Sequence, residues 1–257
     1  PYTDLHRAGV NLRGLIRIML FKRFESSVHA FRETLSKLHR IHTDFLKALD
    51  AGFVPAGEEA QSLLYESDEW EEADLLDALR GVSGRYELAD FNADLLRQHI
   101  QQDQRLLKQM LELVEPIKPP QDAKLQTLMR WLKKPGLAKG KRLIFTQYAD
   151  TARYLFENLN PKGKRDDIDV VYSGDKSRER LVGRFAPIAN PWYRPQSGES
   201  ELNTVIATDV LSEGLNLQDC DKVINYDLHW NPVRLIQRFG RIDRIGSEYD
   251  EIFGFNF

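Results

Sequence analysis

Apolar residues recur at alternating steps of three and four through the first half of the chain, which predicts amphipathic helices. The first repeat lies within residues 15–50 and comprises Phe21, Phe24, Val28, Phe31, Leu35, Leu38, Phe45 and Leu49, with His42 at a skipped step. The second repeat comprises Leu88, Phe91, Leu95, His99, Leu106, Met110 and Leu113. Pro116, Pro119 and Pro120 end it. We therefore expect an antiparallel helical hairpin in which each stripe covers the other and both histidines lie near the seam.

The pattern changes after about residue 121, where short β-rich runs alternate with helical patterns. The runs are 142–146, 168–172, 204–208 and 222–226, and the helical patterns are 150–159, 176–185 and 233–239. Alternation of this kind predicts a parallel sheet with helices on both faces. Residues 186–203 contain three prolines with glycine and serine and predict a surface insertion. We expect two domains, a helical one at 1–120 and an α/β one at 121–257.

Polar side chains follow the predicted strands directly. They are Thr146 and Gln147, Ser173 and Gly174, Thr208 and Asp209, and Asp227. In open parallel sheets, ligands bind on the loops that follow the carboxyl ends of the strands. These residues are therefore candidates for a binding site.

Composition describes an ordinary globular protein of 257 residues, with 42% apolar and 29% charged residues. The formal net charge of -3 averages over two opposed regions. Residues 1–49 contain nine Lys and Arg against four acids, and such a face is either solvated or directed at phosphates. Residues 58–79 contain nine acids and no Lys or Arg, which indicates either a solvated hairpin tip or a docking patch for a basic partner.

The cysteine content and the hydropathy of the chain limit which classes of protein it can belong to. The single Cys220 excludes an internal disulfide and fits a reducing cytosol, so we expect a cytoplasmic protein, associated with the nucleoid if bacterial. No apolar run has membrane-spanning length, and one cysteine with six scattered histidines gives no metal-ligand spacing. The chain starts at Pro1 without Met and stops at Phe257 within an apolar run, so we expect a piece of something longer.

The segment QRFGRIDRIG, residues 237–246, places three arginines within seven residues. Asn231 and Pro232 predict the start of its helix, because a capping side chain precedes proline at the first helical position. Gln237, Arg241 and Arg244 then follow at steps of four and three and would share one face, with Arg238 about 100 degrees away. Planar guanidinium groups bind phosphate oxygens well, so the segment predicts a binding site for a polyanion.

Four segments in this order resemble the second motor lobe of superfamily 2 helicases and translocases, most closely the Swi/Snf-type ATPases and their bacterial RapA-like relatives. The segments are LIFTQYADTARYLFENL, VVYSGDKSRERLVGRF, VIATDVLSEGLNLQDCDKVINYD and DLHWNPVRLIQRFGRIDRIG. The preceding helices resemble, more loosely, the helical protrusion of such lobes. The resemblance implies a lobe built on a RecA-like sheet. This lobe would complete an ATP site that lies between it and a second motor lobe.

The resemblance also implies roles for individual residues. Arg241 and Arg244 would be arginine fingers, which stabilise charge on the transferred phosphoryl group and are worth about 10³ to 10⁵ in rate. The implied ATP contacts are Gln237, Glu213, Gly214 and Asp209, although Glu213 departs from the glycine-richer form of many Swi/Snf proteins. The implied DNA-backbone contacts are Thr146, Gln147, Ser173, Gly174, Lys176, Arg178, Arg180, Thr208 and Arg238.

Neither a phosphate-binding loop nor an acidic magnesium motif is credible in this sequence. We therefore expect ATP and Mg²⁺ to be held mainly by an absent N-terminal motor lobe, and the chain alone to be inactive. The leading hypothesis is the C-terminal lobe of an ATP-dependent translocase on double-stranded DNA. The alternative is a non-catalytic docking module built on a degenerate lobe.

Overall fold

The computed structural model describes residues 17–55, 58–65, 77–79, 81, 89, 92–172, 177–211, 215–229 and 231–257. The chain forms two compact units. The helical unit consists of residues 32–116, and the α/β unit consists of 117–257 with the described part of 1–31. The predicted boundary at residue 120 is close to the point where the chain enters the α/β unit. The assignment of 1–120 and 121–257 to two functional domains stays a prediction.

The helical unit contains the predicted antiparallel hairpin. Its helices are α1 (Val28–Asp50, which enters the unit at residue 32), α2 (Glu58–Tyr65) and α3 (Ala93–Val114). Arg32 donates to the carbonyl oxygen of Val114 at 2.9 Å, and Arg97 donates to Asp50 at 2.5 Å. The start of α1 thus meets the end of α3, which confirms the hairpin. Among the helices of the described residues, none combines the length and hydropathy that a membrane span requires.

The buried face of α3 differs from the predicted stripe. Leu107 and Val114 are buried. The predicted members Leu95, Leu106, Met110 and Leu113 are 46%, 50%, 42% and 76% exposed, and His99 is exposed as well. Apolar residues of α3 lie on two adjacent stripes, and spacing alone does not show which one the partner helix covers. Leu88 and Phe91 lie outside the described residues.

The first repeat is interrupted by a break at Ser27. Residues 17–26 are helical, and α1 begins at Val28 because the Ser27 hydroxyl accepts a hydrogen bond from the amide of Ala30 at 3.0 Å. Leu35 and Leu49 are buried as expected. Phe21 and Phe24 are exposed, which corrects the prediction of one continuous buried stripe.

Part of the acidic segment contributes to a small core. Ala60 and Leu79 are buried together with Ala48 and Phe53 of the hairpin. Residues 66–76 lie outside the described residues, so the docking patch at 58–79 stays a prediction.

The α/β unit is built on a five-stranded parallel sheet in the order β2-β3-β1-β4-β5. The strands are β1 (Arg142–Phe145), β2 (Ile168–Val171), β3 (Thr204–Ala207), β4 (Lys222–Asn225) and β5 (Phe253–Asn256). The helices are α4 (Ala123–Trp131), α5 (Pro135–Ala138), α6 (Ala149–Leu159), α7 (Arg178–Phe185) and α8 (Pro232–Phe239). All four predicted strands and all three predicted helices are therefore present.

Both faces of the sheet are covered. Leu143 and Val205 point to one face, where they form a core with residues of α7 such as Phe185. Ile144 and Ile206 alternate to the other face, where α4 and α6 cover them. Successive residues of a strand point to opposite faces, so the near-continuous apolar runs in the sequence result from burial on both sides.

The predicted insertion at 186–203 contains no helix or strand. Its Tyr193 lies against Gly183 of α7, where a side-chain Cβ would overlap the tyrosine ring. Glu199 accepts hydrogen bonds from the Tyr193 hydroxyl at 2.6 Å and from the Gln196 amide at 2.7 Å, and it pairs with Arg180. The insertion is therefore attached to the surface of α7.

Candidate functional site

The strands end together at one side of the sheet, which we call the carboxyl edge. Phe145 is level with Ala207 of β3 and with Asn225 of β4, so the loops after β1, β3 and β4 begin next to one another. The chain turns toward β2 after β1 and toward β5 after the neighbouring β4. Such a switch point forms a crevice that binds ligands in open parallel sheets. The predicted site residues found there are Thr146, Gln147, Thr208 and Asp209.

Arg238 of α8 has a fully buried side chain. Its Nε donates to Asp209 at 2.7 Å, and one Nη donates to Asn225 at 3.0 Å and to the main-chain oxygen of Asp227 at 3.3 Å. The guanidinium also lies over the ring of Phe145. The sequence placed Arg238 among the nucleic-acid contacts. In this structure the buried guanidinium is an internal anchor for α8, and its contact with nucleic acid stays a prediction.

The arginine segment continues beyond the end of α8. The Asn231 side chain accepts from the amide of Val233 at 3.0 Å, so the helix begins where it was predicted. It ends at Phe239, and Arg241 and Arg244 lie in the turns that follow the Gly240 cap. Of the three residues expected on one helix face, only Gln237 is thus inside the helix. Glycine favours this termination, which residue spacing does not reveal.

Arg241 and Arg244 are partly exposed and fold back on the main chain. The Nε of Arg241 donates to the carbonyl oxygen of Gln237 at 3.3 Å, and that of Arg244 donates to Gly240 at 2.9 Å. Arg244 also donates to the side-chain oxygen of Asn216. These acceptors are neutral, and charged oxygens bind guanidinium groups more strongly. Both arginines thus combine partial exposure with neutral acceptors among their contacts.

Asp227, which follows β4, holds a buried carboxylate with a 5% exposed side chain. One oxygen accepts from the hydroxyls of Ser26 and Thr146, each at 2.6 Å, and the other accepts from the amide of Gln147 at 2.8 Å. The predicted nucleic-acid contact Thr146 is itself fully buried. Its hydroxyl donates inside the protein, and its contact with nucleic acid stays a prediction.

The hydroxyls around Asp227 form an ordered chain. Thr151 Oγ1 lies 2.8 Å from Ser26 Oγ and 2.9 Å from Ser27 Oγ. Each hydroxyl has one proton, and Ser26 gives its proton to Asp227, so Thr151 donates to Ser26 and Ser27 donates to Thr151. All four hydroxyls are satisfied in this arrangement. The chain of hydroxyl donors ends at the carboxylate of Asp227, which accepts from Ser26, Thr146 and the Gln147 amide.

Two cations attach the helical segment 17–26 to the same edge. Arg23 pairs with Asp150 at 2.5 Å and lies over the ring of Tyr148. Lys124 donates to the carbonyl oxygens of Glu25 at 2.6 Å and Ser26 at 3.0 Å, which satisfies the end of the helical segment. Burial lowers the pKa of Lys124, and the nearby Asp227 opposes that change.

The other nucleic-acid candidates differ in accessibility. Gln147 is partly exposed, but its side chain donates to the carbonyl oxygen of Leu228 at 2.9 Å. Arg178 is partly buried and Arg180 is exposed. Thr208 is buried. Ser173, Gly174 and Lys176, together with the ATP candidates Glu213 and Gly214, lie outside the described residues.

Two buried polar atoms at the carboxyl edge have no hydrogen-bond partner among the described residues. They are the Thr208 hydroxyl and the second Nη of Arg238. Both belong to residues that border Asp209, where a short 3-10 helix, Asp209–Leu211, begins. Buried polar groups are normally hydrogen-bonded, so both atoms are candidates for contact with a bound ligand.

The described residues contain no group of three or more His, Cys, Asp and Glu side chains that could hold a metal ion. Arg241 and Arg244 instead offer partly exposed guanidinium groups, which suit phosphate oxygens.

Sequence reasoning pointed to Asp227 as a strand-end residue but missed Ser26, Thr151 and Lys124. The consecutive serines at 26 and 27, inside an otherwise regular helical repeat, were the available signal. Serine competes with the helix by bonding to nearby backbone groups, so such a pair marks a break. Thr151 and Lys124, which lie far from these serines in the sequence, have no comparable signal in the sequence pattern.

Comparison with known proteins agrees with this geometry. Residues 123–246 match the family model described as the helicase conserved C-terminal domain. The uncharacterised ATP-dependent helicase YqhH of Bacillus subtilis is 38% identical over 110 residues, which are 43% of this chain and 17% of that protein. The ATP-dependent DNA helicase fml1 of Schizosaccharomyces pombe is 32% identical over 107 residues, 42% of this chain and 13% of that protein.

Among solved structures, Dbp5 of S. cerevisiae bound to RNA and ADP BeF3 is similar, with a TM-score of 0.41 and 24% identity over 52% of this chain and 32% of that one. The chain spans less than a fifth of the length of the two curated relatives. The sequence matches support the α/β unit as a C-terminal lobe of a helicase superfamily member. The five-stranded parallel sheet with helices confirms the predicted fold class.

Proposed function

We propose that this chain is the C-terminal motor lobe of an ATP-dependent translocase or helicase, in which Arg241 and Arg244 bind the γ-phosphate of ATP. The observation that carries the proposal is the buried Arg238, which fixes the arginine segment to the carboxyl edge through Asp209, Asn225 and the main chain of Asp227. This anchor leaves the two following arginines partly exposed.

On this proposal, the protein supplies positioning and charge to phosphoryl transfer. Arg241 and Arg244 stabilise negative charge on the transferred group, and Gln237, Glu213, Gly214 and Asp209 are nucleotide-side contacts. Mg²⁺ is held mainly by a preceding lobe of the same protein, since this sequence has no credible acidic magnesium motif. The chain alone would then be inactive.

The polymer is proposed to be double-stranded DNA, held through its phosphates by a Swi/Snf-type, RapA-like lobe of a cytoplasmic protein. Support comes from the four ordered segments and from the relative named as a DNA helicase. The accessible candidates are Gln147, Arg178 and Arg180, with Ser173, Gly174 and Lys176 outside the described residues. Contacts to phosphates alone would be independent of sequence and sensitive to salt.

The first test is ATP hydrolysis by the full-length protein with duplex DNA, single-stranded DNA or RNA. We expect Arg241→Ala to lower the stimulated rate by about 10³-fold, because a finger arginine acts on the transition state. Arg130→Ala is the matched control, since Arg130 is an exposed arginine of α4 that bonds only locally, to Thr127. The polymer that stimulates most identifies the substrate class.

A docking module is the second candidate function. It is favoured by the apolar side chains on the outer face of α3, where Leu106, Met110 and Leu113 are exposed. If no polymer stimulates hydrolysis, or if Arg241→Ala matches Arg130→Ala in rate, the motor proposal is abandoned in favour of docking.

A further inference from the structure

We propose that Asp227 is a positioning residue that couples the segment 17–27 to Arg241 and Arg244. The catalytic consequence of this inference rests on the proposed function. The structural coupling itself rests only on contacts within the α/β unit. The residues that carry the coupling to these arginines, Ser26, Asp227 and Arg238, are not among the proposed nucleotide contacts.

The first step is the side chain of Asp227. Its carboxylate takes donors from two separate parts of the chain, Ser26 at the end of the helical segment and Thr146 with Gln147 after β1. The side chain is almost completely buried. An ionised carboxylate at such a position is costly unless each donor is in place. Movement of Ser26 away from the carboxyl edge would remove one donor, so the position of the segment and that of Asp227 are linked.

The second step is the main chain of the same residue. The carbonyl oxygen of Asp227 accepts from Arg238, and the carbonyl oxygen of Arg238 accepts from the amide of Arg241 at 3.3 Å. The anchor of the arginine segment therefore contacts the same residue that receives Ser26. A displacement of Asp227 in response to the helical segment would move an acceptor of Arg238.

The third step concerns what holds the segment. Lys124 binds its last carbonyl oxygens, Arg23 pairs with Asp150, and Ser27 begins α1 immediately after the break. The segment is thus attached to the α/β unit at several points. If a preceding lobe closes on ATP, strain on this segment reaches Asp227 and then the two arginines.

The test uses the full-length protein with three variants. Asp227→Asn keeps the shape of the side chain but replaces one acceptor oxygen by a donor amide group. Ser26→Ala removes a single donor and leaves the carboxylate of Asp227 in place. Asp219→Asn is the matched control. Asp219 is also buried and accepts two amides, from Ile188 at 2.7 Å and Ala189 at 2.9 Å, but it precedes β4 at the opposite edge.

The structural readout is hydrogen exchange of backbone amides. We expect Asp227→Asn and Ser26→Ala to accelerate exchange in both 17–30 and 238–246, by about tenfold or more, because the two segments share one acceptor residue. Asp219→Asn should accelerate exchange near 187–190 without this joint effect. Acceleration in only one of the two segments would overturn the coupling, whether or not the protein hydrolyses ATP.

The catalytic readout separates positioning from stability. We expect Asp227→Asn to lower kcat for ATP hydrolysis by about tenfold with KM for ATP nearly unchanged, since it acts through the arginines and not on bound substrate. Ser26→Thr, which retains the hydroxyl, should recover most of the rate lost in Ser26→Ala. Equal loss of kcat in Asp219→Asn at equal loss of stability would refute a positioning role. A wild-type protein that hydrolyses no ATP with any polymer would instead refute the proposed function.

Discussion

Arg238 shows how one buried residue can hold several strand ends together. A buried guanidinium needs several acceptors, and Arg238 takes them from the ends of β3 and β4 and the loop after β4. Its planar group also lies over Phe145 at the end of β1, 5.0 Å from the ring centroid. Four loops or strand ends are therefore held in register by one side chain.

Replacement of Arg238 should destabilise the α/β unit. Breaking a buried pair by removal of one partner costs about 3 to 5 kcal/mol, but the side chain of Asp209 is 24% exposed and regains water. We therefore expect Arg238→Met to lower the free energy of unfolding by about 2 to 3 kcal/mol, measured by urea denaturation. Arg238→Lys should lower the free energy of unfolding less than Arg238→Met does, because an ammonium still reaches one acceptor.

The control for this substitution is Arg234→Met, which lies on the same helix but is partly exposed. A change at such a position should stay within about 0.5 kcal/mol. Equal losses at positions 234 and 238 would show that the buried contacts of Arg238 do not stabilise the unit.

At the scale of elements, the carboxylate of Glu199 is one of the contacts that attach the insertion at 186–203 to α7. Hydrogen bonds from the Tyr193 hydroxyl and the Gln196 amide, followed by the contact with Arg180, lower the pKa of Glu199 from 4.5 to about 2. The same contact occupies Arg180, so a phosphate would have to compete with Glu199 for this proposed nucleic-acid residue.

The pH dependence of stability tests this attachment. Because the pKa of Glu199 is lower in the folded state, its contribution is present above pH 4.5 and is lost as the pH falls through about 2. We expect the difference in free energy of unfolding between wild type and Glu199→Gln to be constant near neutral pH and to shrink below pH 4.5. A difference that does not change over this range would contradict the attachment.

The elements show which features a sequence can specify. The strands of the α/β unit were predictable because burial on both faces produces unbroken apolar runs. The buried stripe of α3 was not, because two adjacent stripes fit the same spacing and the partner helix selects Leu107 and Val114. The anchor role of Arg238 was hidden for a related reason, since arginine is ordinarily exposed and its acceptors come from distant parts of the chain.

At the scale of the whole molecule, the carboxyl edge combines residues from both ends of the chain. Ser26 and Asp227 are 201 positions apart. The helical unit, residues 32–116, intervenes between the segment 17–31 and the rest of the α/β unit. A chain that began after residue 31 would retain every predicted site residue but leave the Asp227 carboxylate without the Ser26 donor. Boundaries drawn from motifs alone would remove part of the site.

Cys220 offers a measurement of opening in the α/β unit. It is the single cysteine of the chain, and its side chain is 1% exposed within the core beside the sheet. Burial raises the pKa of this thiol from 9.0 to about 12. Its contribution to stability is therefore complete below pH 9 and is lost as the pH rises through 12. Since the thiolate is the reactive form, the folded protein should react with thiol reagents only after it opens.

We expect the labelling rate of Cys220 near pH 8 to be set by the opening equilibrium. Arg238→Met should then accelerate labelling by about 30- to 150-fold, because a loss of about 2 to 3 kcal/mol raises the open fraction by that factor. Arg234→Met should leave the rate nearly unchanged, and denatured protein should react at the rate of a free thiol. Rapid labelling of the folded wild type would show that the core around Cys220 opens locally, independently of the Arg238 anchor at the carboxyl edge.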